Sequence, residues 1–358
     1  MPVVRWCISV AFVVFPLLSL PAYAQNYILF DAPGAGKGFV QGTMAQALND
    51  AGQVAGSYRD ANDVNHGFLR EKDGAILTFD APRAGFAANQ GTLPQAINGA
   101  GWIAGYVLDS NNSPHGFLRK ANGKFIAIDF PGAITTTAIG INGLGQAIGN
   151  YLDANKNFHG YQRSKDGVFT SIDFPGASGT VPSAVNTVDQ IVGYYVKSDK
   201  QFHGFLRNSN GGFISFDPQG SSATHAVAIN ALGAIVGNFT DVNGNHHGFA
   251  RQKNGTIVSF DAPGSTGTFA GSVNSVGKIV GSYDPTSQAQ AQTVERTGAE
   301  VCFGQPVTGF LRQKDGTIVS FDVPGSLVTG PAGIDRLGNI AGSYLDGNCT
   351  SHGFLREP

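Results

Sequence analysis

A short peptide recurs along the chain at the length of one supersecondary unit, and this constrains the fold more than any other feature. His-Gly-Phe or His-Gly-Tyr stands at His66, His115, His159, His203, His247 and His352, and Thr308-Gly309-Phe310 holds the same place. A second element, Phe or Ile followed by Asp, recurs at Asp31, Asp80, Asp129, Asp173, Asp217, Asp261 and Asp322. A third runs from Asn49 to Gly56, Asn98 to Gly105, Asn142 to Gly149, Asn186 to Gly193, Asn230 to Gly237, Asn274 to Gly281 and Asp335 to Gly342. Each element occurs seven times, 44 residues apart through the middle of the chain.

Within a repeat, four short runs rich in Ile, Val, Phe and Tyr are bounded by turn residues, which predicts four strands. In the fourth repeat they run from Ser183 to Asn186, Gln190 to Tyr195, Phe202 to Arg207 and Gly212 to Asp217; they are called A to D. Glycine, 50 of 358 residues, works against helices, because each interior glycine costs about 1 kcal/mol relative to alanine. The expectation is an all-β chain: a seven-bladed β-propeller with four-stranded antiparallel blades. The ends favour a ring over an open solenoid. Tyr27 to Asp31 reads as a lone D strand, and His352 to Arg356 as a C strand with no D after it. The N-terminal strand would therefore complete the last blade. Strand A suits the axis, since the position two before its closing Asn or Asp is always small: Ala47, Ala96, Gly140, Ala184, Ala228, Ser272 and Gly333. Pro94, Pro182 and Pro331 within it mark an edge strand, where a missing N–H is tolerated.

On these residues the chain resembles a family of bacterial extracellular proteins built on a repeat named HAF for its His-Ala-Phe core, seen here as His-Gly-Phe across Tyr27 to Pro358. The resemblance implies export and repetition, and it implies no catalytic residues.

The first 24 residues read as a secretory signal, with Arg5, an apolar run from Trp6 to Leu20, and Ala22-Tyr23-Ala24 before cleavage at Gln25. The run is about 15 residues, short of the roughly 20 needed to span a bilayer. Residues 25–358 are expected to form a single propeller domain, secreted or periplasmic, with no transmembrane anchor. Formal charge is −2, and acidic and basic residues are scattered singly, so no nucleic-acid footprint is expected. Two cysteines, Cys302 and Cys349, remain after cleavage. An even pair in an exported chain suggests a disulfide.

A group present in every repeat is more economically scaffold, because one site needs its groups once. A C-to-D hairpin would set His66 across from Asp80, and the same 14-residue spacing joins His115 to Asp129, His159 to Asp173, His203 to Asp217, and His247 to Asp261. Ring closure would put His352 beside Asp31. Such pairs are expected to satisfy polar atoms at blade ends. Asp153-x-Asn155-x-Asn157 and Asp241-x-Asn243-x-Asn245 resemble calcium loops, yet neither supplies the glycine at position six with the glutamate at twelve. Asx turns explain them more simply. No cofactor and no metal is expected, calcium being the one ion the spacing brings up. Nucleophile-elbow, H-E-x-x-H and P-loop motifs are absent.

Loop lengths locate the candidate surface. The A-to-B interval is seven residues throughout and the C-to-D interval is 14 wherever it can be counted. The D-to-A interval is 18 in two repeats and 13 in five, and the B-to-C interval is 10 in six and 27 in the sixth, with an insert at 285–306. All variation thus falls on one face, where binding residues concentrate. Its candidates are Lys37, Phe39, Gln41, Arg83, Phe86, Asn89, Gln90, His225, His246, Glu295, Arg296 and Glu300. Cys302 and Cys349 fall in B-to-C hairpins of neighbouring blades on that face, so their bond would tether the insert. The favoured reading is a non-enzymatic exported propeller binding an extracellular protein or saccharide there. Two others stay open: a hydrolase or lyase acting on an extracellular polysaccharide through His225, His246, Glu295 or Glu300, and a structural envelope component.

Overall fold

A computed structural model describes residues 26–285 and 307–358. The expected signal segment, residues 1–24, and Glu295, Arg296, Glu300 and Cys302 of the insert lie outside the described residues. Every regular element among the described residues is a strand, and no helix there is long and apolar enough to cross a membrane.

β1 (Tyr27–Phe30) opens the chain. There follow β2 (Gly42–Leu48), β3 (Val54–Arg59), β4 (Asn65–Arg70) and β5 (Ile76–Phe79), then β6 (Gly91–Ile97), β7 (Ile103–Leu108), β8 (Pro114–Arg119) and β9 (Phe125–Ile128). Next come β10 (Thr135–Ile141), β11 (Ala147–Leu152), β12 (Phe158–Arg163) and β13 (Phe169–Ile172), and β14 (Gly179–Val185), β15 (Ile191–Val196), β16 (Phe202–Arg207) and β17 (Phe213–Phe216). β18 (Ser221–Ile229), β19 (Ile235–Asp241), β20 (His246–Arg251) and β21 (Ile257–Phe260) precede β22 (Ser265–Val273), β23 (Ile279–Pro285), β24 (Thr308–Arg312) and β25 (Ile318–Phe321). β26 (Val328–Ile334), β27 (Ile340–Leu345) and β28 (Ser351–Arg356) end the chain. Each successive four make an antiparallel meander, and β1 pairs antiparallel with β28, Tyr27 against Arg356. The first strands of the meanders touch in succession, β2 to β6 to β10 to β14 to β18 to β22 to β26, and β26 touches β2. This is an all-β propeller architecture.

The first strand of each meander is longer than the sequence pattern predicts. β14 begins at Gly179 instead of Ser183. The cause is a β-bulge between Pro182 and Ala184, repeated between Ala45 and Ala47, Pro94 and Ala96, and Pro331 and Gly333. One extra residue breaks the period-two alternation, so the half of the strand before the bulge does not read as strand. Proline fits there because the bulge removes a ladder bond.

Two glycine columns are steric requirements. A Cβ on Gly193 of β15 would lie 2.0 Å from the Val181 carbonyl oxygen, and one on Gly204 of β16 would lie 2.8 Å from the Phe216 ring. The phenylalanine after the second glycine is core: Phe68, Phe205, Phe249, Phe310 and Phe354 are fully buried. The arginine closing the same strand lies over a phenylalanine of the preceding meander, Arg119 over Phe79, Arg251 over Phe216, Arg312 over Phe260 and Arg356 over Phe321. Arg70 lies over Phe30 of β1 in the same way.

Two polar clamps lock neighbouring meanders. The buried Asn186 takes the Val188 and Gln190 N–H groups on Oδ1, while its Nδ2 donates to the Asn230 carbonyl 3.2 Å away. Asn49, Asn98, Asn142, Asn230 and Asn274 reach the next repeat's carbonyl likewise. Asp335 has no amide to donate, and there the Arg336 N–H donates to the Asp50 carboxylate at 2.8 Å. The second clamp is a buried threonine six residues before each of these positions. Thr43, Thr92, Thr136, Thr180, Thr268 and Thr329 each accept the N–H of the residue after a repeated Asp.

Candidate functional site

The B-to-C turns and D-to-A loops share one face, opposite the constant turns. Each repeated histidine there sits between two aspartates. Nδ1 of His66, His115, His159, His203, His247 and His352 lies 2.8–3.0 Å from Asp80, Asp129, Asp173, Asp217, Asp261 and Asp31 respectively. Nε2 faces a second carboxylate at 3.4–3.7 Å, from Asp60, Asp109, Asp153, Asp199, Asp241 or Asp346. Antiparallel pairing of Gly67 with Phe79 leaves the flanking His66 and Asp80 side by side, which is the origin of the 14-residue spacing. In four repeats the imidazole also stacks on an aromatic ring of the preceding strand, such as Tyr151 on His159 at 4.9 Å.

The second aspartates fold the B-to-C turns. Asp153 Oδ1 accepts the Asn155 and Asn157 N–H groups, and Asp241 Oδ1 accepts those of Asn243 and Asn245. Backbone N–H groups of the turn hold the Asp109, Asp153, Asp199 and Asp241 carboxyls below the ordinary carboxylate range. The oxygen-rich spacings thus belong to Asx turns whose remaining oxygen faces a histidine. For His159, partial burial lowers the pKa, but the hydrogen bonds and charges of Asp173 and Asp153 outweigh it and the net shift is upward.

The long D-to-A loops place their candidates separately. Arg83 is engaged within the protein: it donates to Asp129 at 2.8 Å and lies 2.8 Å from His115 Nε2. Gln41 and Gln90 brace their loops against neighbouring turns through Asp63 and the Ser110 carbonyl. Asn89 accepts from Arg59. Lys37, Phe39 and Phe86 stand exposed. His225 on β18 and His246 on β20 belong to one meander, close enough that their charges interact, and burial followed by that repulsion lowers the His225 pKa. Burial raises the nearby Asp284 carboxyl, partly offset by His246. His246 Nδ1 lies 3.2 Å from Thr240 Oγ1.

At least four depressions open on this side among the described residues. One, about 720 Å³, lies over β2 and β26 and is lined mainly by small residues, with Met44, Arg59 and Tyr344. Another, about 490 Å³, lies between the third and fourth repeats, lined by Asn150, Lys156, Phe158, Tyr194 and Phe202 among others. Phe158 is 57% exposed and Phe202 37%. His225 packs against the Tyr194 and Phe202 rings at 4.6 and 4.9 Å. Asn150 Oδ1 is buried and has no hydrogen-bond partner among the described residues. The cause is local. Corresponding side chains on β27 and β19, Ser343 and Asn238, accept the N–H of Ala45 and Ala270 in the next repeat. Opposite Asn150 that position is Pro182, which has no N–H. We take this smaller cleft as the candidate site, because exposed rings and an unanswered acceptor converge there.

The comparisons support the same class, an all-β propeller. No protein-family model and no curated protein matches the sequence. Among solved structures the chain is similar to streptogramin B lyase, at 14% identity and TM-score 0.59 over 93% of this chain and 98% of that one. It is also similar to the β-propeller domain of the trilobed protease from Pyrococcus furiosus, at 10% identity and TM-score 0.59 over 87% and 94%. TolB from Acinetobacter baumannii aligns at 13% identity and TM-score 0.50 over 86% of this chain and 64% of that one. At such identities the likeness is one of fold.

Proposed function

We propose that the chain is an exported, seven-bladed propeller whose ring closes through β1, and that it binds a saccharide in the cleft of Asn150, Phe158, Tyr194 and Phe202. The observation that carries the reading is the pair of exposed rings beside an orphaned carbonyl acceptor. A sugar offers an apolar C–H face to aromatic rings and hydroxyl donors at its edge. Such a ligand answers both features at once, whereas water alone leaves the phenylalanines exposed. The β1–β28 pairing and the contact of β26 with β2 support the closed ring. The HAF-like repeats and the apolar segment before Gln25 support export.

A glycan array probed with the purified protein tests the reading. Selective binding, lost about tenfold in Phe158→Ala and retained in Phe39→Ala, is the expected result. A blank array, or a Phe158→Ala variant that binds as the parent does, refutes it. The neighbourhood of His225, His246 and Asp284 favours a second reading, polysaccharide cleavage, which predicts released product where the first predicts binding without turnover.

A further inference from the structure

Resting on that cleft, we propose that its saccharide is acidic, a uronate oligomer whose carboxylates are met by Lys156 and Lys200. Among the described residues the basic side chains of the loop face are Lys37, Arg59, Arg83, Lys156, Lys197 and Lys200. Three of them belong to the two B-to-C turns beside the cleft. Arg59 and Arg83 are tied to Asp63 and Asp129, and Lys197 lies 5.6 Å over the Tyr195 ring. Lys156 and Lys200 make no ion pair within 4.0 Å among the described residues, although the face around them is dominated by aspartates.

Both lysines hold a left-handed backbone, φ 66° and 64°. The equivalent turn positions carry Asp63, Asn112, Gly244 and Cys349, also at positive φ. Asp, Asn and Gly suit that conformation and lysine does not. The two turns that depart from them toward lysine are those flanking the cleft, and each places a phenylalanine two residues on, as Lys156-Asn157-Phe158 and Lys200-Gln201-Phe202. The same Lys-x-Phe step therefore occurs in both turns, Lys156, Phe158 and Phe202 lining the cleft and Lys200 standing two residues before Phe202, which matches a chain of repeated acidic sugar units. The aspartates nearby face the histidines and not the lysines, Asp153 and Asp173 lying against His159, and Asp199 and Asp217 against His203. Backbone strain kept at a ligand clamp is a recognised pattern.

Calorimetric titration with oligomers of galacturonate, glucuronate and mannuronate, each beside its fully methyl-esterified form, tests the assignment. The ester keeps the ring faces and hydroxyls and loses only the charge. At least one free acid should bind tenfold or more tighter than its ester, and the gap should shrink as salt is raised. Lys156→Asn with Lys200→Asn should abolish the gap by bringing the acid down to its ester, and raise the melting temperature, because asparagine suits the turn. Esters binding as tightly as acids would overturn the acidic ligand while leaving the cleft standing. Failure of every oligomer, with a blank glycan array, would overturn the cleft and this assignment together.

Discussion

Replacing Asn186 by alanine should show how strongly the asparagine belt ties one repeat to the next. The side chain is 4% exposed and makes four hydrogen bonds: Oδ1 accepts from the Val188 and Gln190 N–H groups, and Nδ2 donates to Gln190 Oε1 and to the Asn230 carbonyl. A typical internal hydrogen bond contributes about 1 kcal/mol net, and a buried group left unsatisfied costs about 1–3 kcal/mol. The Val188 N–H lies in an exposed turn and regains water. The Asn230 carbonyl belongs to a buried residue and does not. The loss therefore comes to about 3 kcal/mol, which in a chain of this size lowers the melting temperature by roughly 4 °C. Asn186→Asp keeps the acceptor and loses both donors, so it should fall between the variant and the parent. Val188→Ala, on the exposed tip of the same turn, is the control and should leave melting within about 1 °C. Calorimetric melting of the four proteins decides the matter. If Asn186→Ala melts with Val188→Ala, the belt is ornamental and the argument for inter-repeat locking fails.

Other expectations follow from the same geometry. His159 has a raised pKa, so its contribution to stability is full below about pH 6.5, the unfolded value, and disappears as pH rises through its folded one. Denaturation of His159→Gln across pH should show a gap to the parent that closes toward alkaline pH, and a constant gap would contradict the Asp153 and Asp173 pairing. Gly193→Ala drives a Cβ into the Val181 carbonyl and should cost about 3 kcal/mol or more. Gly176→Ala, in open space at φ 77°, should cost only about 1–2 kcal/mol, so equal unfolding midpoints would refute the steric reading. Denatured, unreduced protein lacking residues 1–24 should contain no reactive thiol if Cys302 and Cys349 are joined, and two titratable thiols would exclude the bond.

The strand order and the meander were legible because the repeat displays each strand many times, and turn glycines punctuate it at fixed offsets. His66 and Asp80 could be placed together because a hairpin of constant length makes sequence spacing into spatial register. The start of β14 was not legible, since a bulge at Ser183 shifts the alternation on which strand reading depends. The buried threonines, such as Thr180, had a signal that alignment of the repeats would have raised, their fixed place six residues before Asn186. Asp60 and its equivalents were hidden for another reason: a turn brings them to the far nitrogen of an imidazole whose near partner already accounted for it. The cleft was least visible. It depends on what the third and fourth repeats do differently, a Lys-x-Phe turn and an asparagine, Asn150, set against a proline that offers it no donor, whereas the eye is drawn to what repeats share.

The pairing of β1 with β28 orders events in biosynthesis. His352 and Asp31 are 321 positions apart, so β1 waits, edge open, until β28 has been made. Through that interval it is a template for any passing strand. A chain cut before β28 would keep that hazard for life, so loss of β28 should appear first as aggregation seeded at β1.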